Sequence, residues 1–175
     1  MKKILTATLL VSGLILSMQL QAQSEEDKSK RASPPASVTQ KINSGATITI
    51  NYSQPSVKGR VIGKDVEPMD GKVWRTGANE ATVFETDKDV MIDGKKLAAG
   101  KYSLFTIFNG HEVTVIFNKT WNQWGAFKYK EADDALRIKT KYTEGPHTEK
   151  MTFAISKEGV ITLMWGTRHV SFKVH

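Results

Sequence analysis

The chain has 175 residues, of which 39% are hydrophobic and 25% charged, with a formal net charge of +7 and no cysteine. That balance is too apolar for a disordered chain and too polar for a membrane bundle, and the length suits one domain with a real core. The missing cysteine excludes disulfides, thiolate metal sites, a cysteine nucleophile and lipid attachment at cysteine.

Met1-Lys2-Lys3 followed by the mostly apolar run 4–16 reads as a secretory leader. The run is shorter than the ~20 residues of a membrane-spanning helix. Ala22 gives a small residue for cleavage, so residues 1–22 are expected to be removed and the product exported to the periplasm or the medium. Losing Lys2 and Lys3 leaves about +5 on the mature chain. The basic residues are scattered among acidic ones, so the charge reads as a solvated surface and not as a nucleic-acid stripe. Residues 23–35 (QSEEDKSKRASPP) are polar and of mixed charge, the composition of a flexible linker.

From Ala36 to the end, one domain is expected. Apolar residues recur there with period two, the mark of half-buried strands. Ile48, Ile50 and Tyr52 share one face. Val113, Val115 and Phe117 repeat the pattern, as do Leu136, Ile138 and Tyr142, Met151, Phe153 and Ile155, and Val170, Phe172 and Val174. Arg137, Lys139 and Lys141 alternate with their neighbours and should face water. Asp93-Gly94, Asn109-Gly110 and Glu158-Gly159 supply hairpin turns. About nine strands result, which argues for an all-β fold, an antiparallel β-sandwich or partly open barrel. Residues 122–135 are the best place for one short helix. The irregular stretch 59–71 is a long loop, and such loops often serve function.

The segment Val73-Trp74-Arg75-Thr76-Gly77-Ala78-Asn79-Glu80-Ala81-Thr82 does not alternate. It resembles the signature of domain-of-unknown-function family 2911, a set of exported bacterial proteins. Tyr52 to Arg60, Ala99 to Ile107, Val115 to Lys119, Trp124 to Phe127 and the strand ending in Trp165 match it in order, so the likeness covers residues 36–175. Phe108 stands where such sequences tend to have proline. The resemblance implies a β-rich fold and export. It carries no established reaction.

Two readings of the segment stand side by side. In one, Arg75 and Glu80 form an ordering ion pair and Asn79 caps a turn. In the other, Arg60, Trp74, Arg75, Asn79 and Glu80 line a cleft for a polar ligand. Trp121 and Trp124 flank Asn122 and Gln123, and aromatic plates beside amides suit the faces and hydroxyls of a sugar. The plainer reading makes one tryptophan core and the other the cover of a sheet edge. His111, His147, His169 and His175 lack metal-ligand spacing, so neither metal nor cofactor is expected. Asp133-Asp134 reads as the start of a turn. No nucleophile elbow, phosphate loop or dinucleotide fingerprint occurs.

The leading expectation is therefore a non-catalytic exported module that binds a glycan or other small polar ligand. The alternatives are a hydrolase with Glu80 as general acid or base, and a structural or assembly protein of the cell envelope. The sequence leaves the oligomeric state open.

Overall fold

The computed structural model describes residues 27–175; the leader and residues 23–26 lie outside the described residues. Among the described residues nine strands form: β1 (Pro35–Lys41), β2 (Thr47–Ser53), β3 (Thr82–Thr86), β4 (Val90–Ile92), β5 (Lys95–Leu97), β6 (Gly100–Asn109), β7 (Glu112–Asn118), β8 (Asp134–Ile155) and β9 (Val160–Lys173). Seven make one antiparallel sheet in the order β1-β2-β3-β6-β7-β8-β9, and β4 and β5 make a separate hairpin. The sheet curls into a half-barrel. Beyond β2 the chain turns onto β8, where Val57 N donates to Glu149 O and Met151 N to Pro55 O, both at 2.9 Å.

The period-two pattern decides what lies inside. Ile48, Ile50, Phe84, Leu104, Val113, Val115, Phe117, Met151 and Ile161 fill the inner face, each at most 1% exposed. On the outer face of β6 and β7, Phe105 and Ile116 form a second, smaller cluster with Ala81, packed by Val73, Ile107, Ala126 and Tyr129. The three expected hairpin turns form, and Asp93 and Gly94 both take positive φ (51° and 71°), as a two-residue turn between antiparallel strands requires.

The register of β8 follows the sequence with two differences. Leu136 and Ile138 are buried, and Lys139 and Lys141 are exposed. Arg137 is half-buried, because its guanidinium turns to Asp134 (2.6 Å) and Glu131 (3.2 Å). Tyr142 is half-buried and stacks on His111 with ring centroids 4.6 Å apart. Ile138→Ala should cost about 2–5 kcal/mol in chemical denaturation, and Lys139→Ala within about 0.5 kcal/mol.

Two other segments differ from the sequence reading. The expected short helix is a single 3-10 turn, Glu131–Asp133, and the residues before it are irregular. The polar residues 27–34 lie against the domain. Asp27 caps a 3-10 turn at Lys28–Lys30, and Gln54 N donates to Pro34 O at 2.9 Å. Ion pairs and backbone bonds offset the ordering entropy of this polar stretch.

Candidate functional site

The segment 73–82 is an excursion from one line of the sheet. Gly71 N donates to Phe108 O, and Trp74 exchanges both backbone bonds with Thr106 at 2.9 Å, so the chain first runs beside β6. It leaves at Thr76 and rejoins β6 at Thr82, which pairs with Leu104. Thr82 N donates to Arg75 O at 3.2 Å and closes the neck.

Most of the signature residues build this shape. Trp74 is 3% exposed; its ring stacks on Trp165 at 5.7 Å and its Nε1 donates to Gly77 O at 3.1 Å. Thr76 and Asn79 hold positive φ (50° and 58°). The Thr82 hydroxyl donates to Thr76 O at 2.7 Å. Gly77 is packed so closely that a Cβ would sit 3.0 Å from Thr82 Oγ1 and 3.3 Å from Ser53 O. Asn79 O accepts from Gly125 N, and Ala81 N donates to Gln123 O, both at 3.0 Å, so the excursion is tied to the loop after β7.

The expected Arg75–Glu80 pair does not form. Arg75 has no ion-pair partner among the described residues, and its buried Nε lacks a hydrogen bond. Burial pushes its guanidinium pKa down, with the charge of Glu67 opposing. Glu80 is held instead by the segment before β1. Arg31 Nη1 donates to both carboxylate oxygens at 3.0 and 2.9 Å, and Lys28 Nζ lies 3.1 Å from Oε1. Arg31, with only 14% of its side chain exposed, also lies over the Trp124 ring at 5.6 Å. Asn79 Nδ2 donates to Ser33 O at 2.9 Å.

The remaining candidates are dispersed. Trp74 is a core residue and not a cleft wall. Arg60 donates from Nε to Val57 O (3.0 Å) and from Nη2 to Ser56 O (2.6 Å), which fixes its own turn. The loop 59–71 seals the end of the core, with Ile62 and Pro68 near Trp74 and Trp165. Trp121 is partly exposed under the ammonium of Lys101, 5.3 Å from the ring. Trp124 is 52% exposed and bridges Glu80 through the backbone. Glu80 and Trp124 are thus brought together; Arg60, Trp74, Arg75 and Trp121 do not join them around one cleft. Among the described residues no three histidine or carboxylate side chains converge as metal ligands.

Beside Glu80 lies an open concavity of ≈ 450 Å³. Ser37 and Asn51 stand in register with Val83 across β1, β2 and β3 and form its floor, and Lys28 and Glu80 edge it. Spacing within 73–82 did not reveal Lys28, Arg31, Ser37 or Asn51. The one available signal was the basic cluster Lys28-Ser29-Lys30-Arg31 placed just before the first strand.

Desolvation, the largest single influence, raises the Glu80 pKa, but hydrogen bonds from the backbone, Arg31 and Lys28, with the Lys28 charge, together bring it below the ordinary 4.5. The carboxylate contact is therefore fully present above that value and is lost as the pH falls through the lower, folded one. An NMR titration should show the Trp124 indole resonance shifting below pH 4.5 as Arg31 is released. Glu80→Gln should abolish that step; a step that persists would assign it to another group.

The sequence model of the family described as "Protein of unknown function (DUF2911)" matches residues 33–174. No curated protein and no solved structure matches the chain.

Proposed function

Since the chain belongs to the DUF2911 family, whose description names no activity, we propose from its geometry that it is a non-catalytic, exported module binding a small polar ligand, a glycan foremost, in the concavity beside Glu80. The observation that carries this is a largely apolar concavity, with Pro35, Ala36, Ala81 and Val83 in its lining, into which a few polar groups are set, and a half-exposed indole on the loop tied to its rim. Ser37, Asn51, Lys28 and Glu80 offer a hydroxyl, an amide and two charges, and Trp124, outside that lining, pairs with Glu80 through the backbone. A sugar ring presents the complement, one apolar face for the indole and hydroxyls for the polar groups. Glu80 itself argues against general-acid catalysis. Two cations keep it ionised at neutral pH, and an ionised carboxylate has no proton to give.

Calorimetric titration of oligosaccharides of different composition tests the reading. Binding should be found, and Asn51→Ala and Trp124→Ala should each weaken it roughly tenfold with the melting temperature kept. Absence of any binding, or binding indifferent to both changes, overturns the ligand; turnover of a bound saccharide overturns the non-catalytic part.

Export belongs to the same proposal and rests on the charged start, the short apolar run and Ala22. No described helix is long and apolar enough to cross a membrane. N-terminal sequencing of the mature protein should begin near Gln23, and material that retains Met1 would refute cleavage.

A further inference from the structure

The loop 119–130 carries lysines at 119, 128 and 130 and no acidic residue. Its inward side chains lock it. Gln123, 4% exposed, donates from Nε2 to Thr120 O at 2.6 Å, and its Oε1 accepts from Lys128 N at 3.3 Å. Tyr129 packs edge-on against Phe105 at 5.0 Å, and its hydroxyl bonds Asp134 at 3.1 Å. Asn118 Nδ2 donates to Lys130 O at 3.0 Å and closes the far end.

This frame holds aromatic side chains out in water. Phe127 is 87% exposed and Trp121 42%. Single exposed apolar residues are ordinary on a protein surface, and Val61, Met91 and Val160 are of that kind, isolated in sequence. Phe127 is different, because a loop fixed at Gln123 and Tyr129 presents it beside Lys128. Its ring contributes little to the core, so folding does not account for it.

We infer that the loop 119–130 docks on an anionic lipid surface. Charge complementarity selects this occupant. Aromatic rings settle at the headgroup level, and lysines beside them are drawn to anionic headgroups. Lys101 lies over the Trp121 ring, but its charge is shared with Glu85 at 3.4 Å, so the loop's own lysines carry the attraction. The core of a protein–protein interface is by contrast depleted of charge, with lysine among the residues it avoids. The nearest carboxylate along the chain, Glu131, is turned to Arg137 at 3.2 Å. Phe127 does not line the concavity beside Glu80, and the inference uses Phe127 and the lysines, not Trp124 of the same loop, on which the ligand reading rests.

Cosedimentation of the chain beginning at Gln23 with vesicles of phosphatidylcholine, alone or mixed with phosphatidylglycerol, provides the test. The protein should pellet with the anionic vesicles and stay in solution with the neutral ones. Phe127→Ala should lower the partition coefficient about tenfold, and each of Lys128→Glu and Lys130→Glu should lower it by at least about fivefold at low salt, with unchanged melting temperatures. Added salt should weaken binding. No binding, equal binding to both vesicles, or binding unaffected by Phe127→Ala would overturn the inference. Self-association that Phe127→Ala removes, without vesicle binding, would also overturn it and give the loop to a protein contact.

Discussion

Replacing Trp74 with alanine should destabilise the domain by about 3–5 kcal/mol, the range of buried Trp or Phe truncations. The indole is 3% exposed, stacks on Trp165 and lies 6.4 Å from Phe108. Its loss opens a cavity beneath the excursion and strands Gly77 O, the acceptor of the indole N–H. Trp74→Phe isolates the second effect, since it keeps much of the bulk and removes the donor, and should cost about 1–3 kcal/mol. Trp165→Phe is the control. The Trp165 Nε1 is buried without a hydrogen-bond partner among the described residues, so its removal relieves a desolvated donor. Chemical denaturation should therefore separate two adjacent, stacked tryptophans. Equal losses from the two Phe variants would mean that the Gly77 bond contributes nothing.

Gly159→Ala should be the most damaging change of a single methyl group. Gly159 sits at φ +84° in the turn between β8 and β9, and an added Cβ would collide with the carbonyl oxygen of Val174. That backbone cannot step aside freely, because Val174 N donates to Gly159 O at 2.9 Å and His175 exchanges backbone bonds with Met91. Strained backbone costs about 1–3 kcal/mol, and overpacking adds a similar amount, so the melting temperature should fall by roughly 5–15 °C. Gly94→Ala is the comparison. Its φ is +71° with nothing within 4 Å of the new Cβ. Only the backbone strain remains there, and the fall should be clearly smaller.

The strands were legible because their information is local. Ile48, Ile50 and Tyr52 announce one buried face, and Asp93-Gly94 announces a turn, with no knowledge of distant residues. The fate of Glu80 was not legible in this way. Gly77-Ala78 does mark a turn, but the turn rejoins the sheet through Thr82, and proximity in sequence brought no Arg75–Glu80 contact. The partner of Glu80 is Arg31, 49 residues away. Composition is no guide at the same point: polarity alone reads as an unattached stretch, whereas Lys28, Arg31 and Ser33, within its described part, all reach the excursion. Trp74 was misplaced because an indole beside an arginine reads as well for a cleft as for a core. Its inward direction comes from the pairing with Thr106, between residues 32 apart.

The attachment of residues 28–33 to the excursion makes the position of N-terminal processing a chemical variable. A cut near Gln23 leaves Lys28 and Arg31 facing Glu80, two positive charges against one negative. A cut between Arg31 and Ala32 would remove both cations and keep β1 whole. The rim of the concavity would then change sign, and the Glu80 carboxyl would lose the partners that lower its pKa. Trimming the residues before Ala32 would thus turn the rim of the concavity from basic to acidic without altering a strand.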